Sequence, residues 1–155
     1  MRPQARQQGF SLIELLIVVA IIGIIAAIAI PNMLAARRAA NESSAISNMR
    51  SIASAQFTYR STIGNGLNYG SAAELRDNGM LDQLVAGAGA ASTGGIKSGY
   101  QYTITVVNGA APQFTATAEY RPLQGTRSFY TDEEGVITFS NTNAAPGRGT
   151  GTPVQ

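Results

Sequence analysis

Glu14 is the residue whose surroundings ask most of its chemistry. It is the one ionisable side chain between Phe10 and Ile30, twenty-one residues that are otherwise apolar apart from Ser11 and Gly23. A carboxylate at the centre of a lipid-embedded helix costs about 2.5–3.5 kcal/mol on insertion scales, so such a group either reaches the headgroups or meets an opposite charge. Other reactive groups are sparse. The 155 residues include no histidine and no cysteine, which removes the usual general base near neutral pH, the commonest metal ligand, thiolate chemistry and disulfides. Asp132-Glu133-Glu134-Gly135 offers oxygens for calcium, but three adjacent acids lack the alternate spacing of a calcium loop and read first as a solvated hairpin turn. The glycines of residues 86–99 invite a phosphate loop, yet Lys97-Ser98 has no glycine directly before the lysine and no helical sequence after it. Tyr59, Tyr100, Tyr102, Tyr120 and Tyr130 read as core packing. Residues 64–155 carry five basic groups against seven acidic ones, and a mildly acidic surface opposes nucleic acid. Carboxylates without a nucleophile or a base do not make a catalytic site, so no enzyme activity is expected.

The elements that position these groups follow from periodicity. Leu15 to Ile30 is sixteen consecutive apolar or glycine residues, stopped by Pro31. As a helix, Phe10 to Ile30 is about 31 Å long, enough to cross the hydrocarbon core of a bilayer. From Asn32 the pattern turns amphipathic. Ile46, Met49, Ile52, Ala53 and Phe57 share one face, leaving Arg38, Glu42, Arg50 and Arg60 free for water or a neighbour. One helix is therefore predicted from Phe10 to Ile63, with Gly23 a weak point and Pro31 a bend. Gly64-Asn65-Gly66 ends it. Ser71-Ala72-Ala73-Glu74 has capping-box spacing and opens a short helix. A further turn is predicted from Leu81 to Val85, with Leu75, Met80, Leu81 and Leu84 pointing inward. Residues 86–99 read as a surface loop. Alternating patterns at 100–106, 113–120, 127–131 and 136–140 then predict a four-stranded antiparallel meander. The fold class is α+β. The expected layout is a leader at 1–9, a transmembrane helix at 10–31, an amphipathic helical half at 32–63, a head at 64–140 and a flexible tail at 141–155. A head of that size needs the amphipathic half of the helix to complete its core.

A short basic leader (MRPQARQQG), a Gly9-Phe10 junction, Glu14 and the run FSLIELLIVVAIIGIIAAIAIPN together resemble a type IV prepilin, a family related to the pseudopilins of type II secretion. The resemblance covers roughly residues 1–60, and the head matches in layout only. It implies that a prepilin peptidase cuts between Gly9 and Phe10 and methylates the amine of Phe10. The freed ammonium then pairs with Glu14 of a neighbouring copy in a helical homo-oligomer. It implies an inner-membrane single-pass precursor, a platform protein and an assembly ATPase. The product is a surface fibre for a pilin, or a periplasmic one for a pseudopilin. It further implies that residues 23–31 unwind on packing, with Gly23 and Pro31 as the yielding points. Pseudopilin heads use calcium, which keeps Asp132, Glu133 and Glu134 as an alternative calcium site. No other cofactor is implied. The chain departs from many pilins in having no cysteine pair near its C-terminus.

Two other readings compete. Ala27-Ile28-Ala29 fits the cleavage site of an ordinary secretory signal, which would leave Ile30 first. However, the apolar run exceeds the 7–15 residues of such a core and contains Glu14. A periplasmic binding module on a single membrane anchor is the alternative from a different class. The net charge of +2 resides in the leader, since removing Arg2 and Arg6 leaves nine basic against nine acidic side chains. The charge therefore implies no nucleic-acid partner.

Overall fold

The computed structural model describes residues 9–88 and 94–154. The chain divides into two compact units, residues 1–36 and 37–155. Helix α1 (Leu12–Thr62) begins in the first and continues through the second. In the first unit it is long and apolar enough to cross a membrane, and its large side chains from Leu12 to Leu34 are exposed. Helix is assigned without interruption through Gly23 and Pro31. The leader residues 1–8 lie outside the described residues.

In the second unit α1 buries Glu42, Ala45, Met49, Ile52, Gln56 and Tyr59, with Ala53 and Ala55 beside them. The spacing alternates three and four, which is one helical stripe. Met49, Ile52 and Ala53 are buried as expected, but the stripe is rotated from the predicted face at its margins. Ile46 is only half-buried, and Phe57 is 41% exposed at the stripe's edge. Glu42, expected to face water, lies inside.

The Ser71 capping box forms as predicted: its hydroxyl accepts from the Glu74 N–H while the Glu74 carboxylate accepts from the Ser71 N–H, opening α2 (Ala72–Asp77). Helix α3 (Gln83–Ala86) starts two residues later than expected because the Asp82 side chain caps it through the Leu84 N–H. That phase turns Val85 and Ala86 inward and leaves Leu84 exposed, correcting its inward assignment.

Among the described residues the sheet is antiparallel, with six strands in chain order rather than four. They are β1 (Ile96–Lys97), β2 (Tyr100–Val107), β3 (Gln113–Tyr120), β4 (Ser128–Asp132), β5 (Thr138–Ser140) and β6 (Thr152–Pro153). The two added strands have two residues each, too few to show a period in sequence. Strand β1 lies within the expected loop. It pairs with β2 across Ser98-Gly99, both at positive φ (51° and 75°), the geometry of a type I′ hairpin turn. Strand β6 lies within the segment expected to fray. It pairs with β5, and the Val154 N–H donates to the Ile137 carbonyl at 2.8 Å.

The core joins Met49 and Ile52 of α1 and Leu75 of α2 to Tyr100, Tyr102, Ala116, Ala118 and Phe129 of the sheet. Tyr59, Tyr100, Tyr102 and Tyr130 are buried, as their packing role requires, and Tyr120 is half-buried.

Candidate functional site

Helix α1 starts one residue after Ser11, whose N–H donates to Glu14 Oε2 at 2.9 Å. A helix leaves its first four N–H groups without partners, and a carboxylate three residues past the cap satisfies one of them while opposing the positive end of the dipole. The Ser11-x-x-Glu14 spacing is that of a capping box, of which the Ser11 N–H to Glu14 half is formed, and this signal was available in the sequence. Gly9 and Phe10 are exposed beside it, Phe10 at 77%. Their nitrogens are peptide amides in the uncut chain. The Glu14 carboxylate therefore rests on its own helix start, one turn from the point where cleavage would create an ammonium. Gly23 has open space where a side chain would project, so packing within one chain does not require glycine there.

The second group was missed by sequence reasoning. Glu42 Oε1 accepts from the Thr126 N–H at 2.8 Å and from its hydroxyl at 2.5 Å, and Glu42 Oε2 accepts from Arg127 Nε at 2.9 Å. The Arg127 guanidinium lies 4.9 Å from the Phe139 ring centroid and 5.8 Å from that of Phe129, within cation–π range. Asn41 Nδ2 donates to the Gln124 carbonyl at 2.9 Å, and Arg38 Nε donates to that of Leu123 at 3.3 Å. One turn of α1 thus clamps the β3–β4 connection. Gly125 allows the close approach, because a Cβ there would sit 2.3 Å from Tyr100 Oη. Burial would raise the Glu42 pKa, but bonds from the Thr126 side chain and backbone and from Arg127 hold it below the ordinary carboxylate value. The available signal was register, since positions 42, 45, 49, 52, 56 and 59 form one stripe that contains a charge.

The acidic turn is occupied by the chain itself. Asp132 Oδ1 accepts from the Glu134 N–H at 3.0 Å, and Gly135 closes the turn at φ 74°. Arg148, from the expected tail, grips Glu133 with both terminal nitrogens, one of them at 2.7 Å from Oε2. It also lies 3.8 Å from Asp132, which accepts from the Tyr130 hydroxyl at 3.2 Å. The guanidinium bonds hold Glu133 below its usual pKa. Among the described residues, no group of three acidic, histidine or cysteine side chains converges as a metal site. Arg148 thus holds oxygens that a calcium ion at this turn would need. Arg148→Ala is expected to speed hydrogen exchange of the Val154 amide while the Tyr102 amide, deep in the sheet, keeps its rate. Equal rates at Val154 in both proteins would show that the clip does not hold the tail.

Residues 4–30 match the family described as the prokaryotic N-terminal methylation motif. The type IV major pilin protein PilA of Myxococcus xanthus is 50% identical over 54 residues, 35% of this chain and 24% of that protein. The type IV wide pilus major component PilA4 of Thermus thermophilus is 69% identical over 35 residues, 23% of this chain and 27% of that protein. The type II secretion system core protein G of Escherichia coli is 32% identical over 60 residues, 39% of this chain and 41% of that protein. The chain thus spans from about a quarter to two fifths of these relatives' lengths. It carries the prokaryotic N-terminal methylation motif on a pilin-like α+β frame, and over 35 to 60 residues it is similar to type IV pilins and to type II secretion core protein G.

Proposed function

We propose that this chain is the structural subunit of a type IV pilus filament. In this reading a prepilin peptidase removes residues 1–9 and methylates Phe10. The apolar part of α1 holds the subunit in the inner membrane until a platform protein and an ATPase extract it. Copies then pack through their helices in a non-closing, head-to-tail arrangement, which yields an open fibre. The observation that carries this is the coincidence of the methylation motif at residues 4–30 with a helix whose apolar part holds one carboxylate, at its start. The charge pair is the mechanistic core. An incoming Phe10 ammonium and a resident Glu14 carboxylate neutralise each other in a dry filament interior, where either alone would be expensive.

The relatives named core protein G support a second reading, a type II secretion pseudopilin whose short fibre stays in the periplasm. Deleting the gene separates the two. The pilin reading expects surface fibres to vanish from electron micrographs with secretion intact. Lost secretion with no surface fibre in the parent strain would favour the pseudopilin. A stable monomer in detergent extracts of the parent strain, with fibres and secretion unchanged by the deletion, would favour the membrane-anchored binding module. The Asp132–Glu134 turn works here through Arg148, so calcium at ~1 mM is expected to leave the melting temperature unchanged. A calcium-dependent rise would restore the metal reading.

A further inference from the structure

The connection Arg121-Pro122-Leu123-Gln124 is closed by the Gln124 N–H, which donates to the Arg121 carbonyl at 3.0 Å. Proline second and a positive φ third is the type II pattern, whose third position glycine normally fills. Here that position is Leu123, at φ 67° and 74% exposed. A branched side chain in the left-handed region is strained, and its exposure means that no core packing within the chain offsets the strain. Basic groups surround the turn. Arg38 bonds the Leu123 carbonyl, Arg37 precedes it on α1, and Arg121 opens the turn with its N–H anchored on the Gly99 carbonyl at 2.9 Å. Among the described residues, none of these three arginines has an ion-pair partner. Glu42, one turn along α1, is taken up by Thr126 and Arg127.

The sequence supplies the partner. Arg37 is the first charged residue after Glu14, and Met33-Leu34-Ala35-Ala36 leads into it. The apolar run ends at Ile30, and the largely apolar stretch through Ala36 carries the chain on to Arg37 and Arg38, so a bilayer that takes in this stretch as well brings the two arginines to the headgroup layer.

We infer that, in the membrane-held chain, the 121–124 turn rests on the bilayer surface, with Leu123 entering the interface and Arg37, Arg38 and Arg121 meeting lipid phosphates. This rests on the proposed reading that the apolar segment of α1 spans a membrane. The contact would hold the head against the bilayer until extraction, and it would strengthen with anionic lipid.

Because the chain has no cysteine, Leu123→Cys in the full-length protein gives one nitroxide position. Val107→Cys, 60% exposed at the β2–β3 hairpin, is the control. Each is reconstituted at low density into phosphatidylglycerol-containing or pure phosphatidylcholine vesicles. At position 123 in anionic vesicles, the ratio of collisions with oxygen to those with a water-soluble nickel chelate should exceed the control by at least ~threefold. The excess should shrink in phosphatidylcholine and on joint Arg37→Gln, Arg38→Gln and Arg121→Gln substitution. A label equally open to water in both lipids, in protein that floats with the vesicles, overturns the inference alone. A change that appears only as protein density rises assigns the turn to a second copy and overturns it too. Protein that fails to float removes the membrane-span reading along with it.

Discussion

Glu14→Ala is expected to leave leader cleavage intact and to reduce the yield of assembled fibres at least ~100-fold, given that an unpaired charge in a dry interior costs several kcal/mol and each 1.4 kcal/mol is tenfold. The structure sharpens what this substitution removes. Glu14 has a local task, accepting the Ser11 N–H at 2.9 Å, and a proposed intermolecular one, neutralising the Phe10 ammonium. Glu14→Gln separates them. Its amide oxygen can still accept from Ser11, but it carries no charge. If charge neutralisation drives assembly, Gln should fail nearly as badly as Ala, while Glu14→Asp retains part of the activity. If helix capping were the whole contribution, about 1 kcal/mol, Gln would assemble almost normally. Fibre yield by quantitative blotting of sheared material, with processed subunit in the membrane as the denominator, reads the difference. Normal yield from Ala would remove the mechanism.

Glu42→Ala is expected to destabilise the head by about 2–3 kcal/mol, because it strips three hydrogen bonds and leaves Arg127 without its carboxylate. At roughly 4–8 °C per kcal/mol for a domain near 100 residues, the melting temperature of the full chain in detergent should fall by about 10–20 °C. Arg127 is partly exposed and can recover some solvation, which keeps the loss below that of a deeply buried pair. The same group predicts a pH dependence. The folded-state pKa of Glu42 lies below the ordinary glutamate value of 4.5, so the unfolded chain binds the proton more tightly. Its contribution is fully present above about pH 4.5 and is lost as pH falls through the lowered folded value. The wild-type melting temperature should therefore drop more steeply below pH 4.5 than that of Glu42→Gln, with the two curves converging in acid. Parallel curves would show that the carboxylate does not hold the β3–β4 connection. Glu74 and Glu133 are lowered as well and remain in both proteins, so only the difference between the curves reports on Glu42.

These two glutamates also show what was legible beforehand. Glu14 stood out because its contrast with the neighbouring residues is local: one acid among apolar side chains needs no partner to be noticed. Glu42 did not, because a charge on an amphipathic helix ordinarily faces water, and its partners Thr126 and Arg127 lie more than 80 residues away in sequence. Only the alternating three–four register of Ala45, Met49, Ile52, Gln56 and Tyr59 placed it inside. Strands β2 and β3 were legible through eight-residue alternation, and α2 through its capping box. Strand β1 was hidden because two residues carry no period; its signal was Ser98-Gly99, a turn whose positive φ values belong to hairpin geometry. The tail was read as frayed because its sequence shows no packing pattern. Its order comes instead from contacts that no local pattern encodes, Arg148 on Glu133 and Val154 on Ile137.

The central claim is that this apolar helix exchanges lipid for copies of itself once the leader is gone, and the N-terminus of the assembled material tests it most directly. Intact-mass and peptide mass spectrometry of sheared surface fibres should find the chain beginning at Phe10, with one methyl group on its amine. A fibre subunit beginning at Ile30, or one still carrying Met1 to Gly9, would contradict the account.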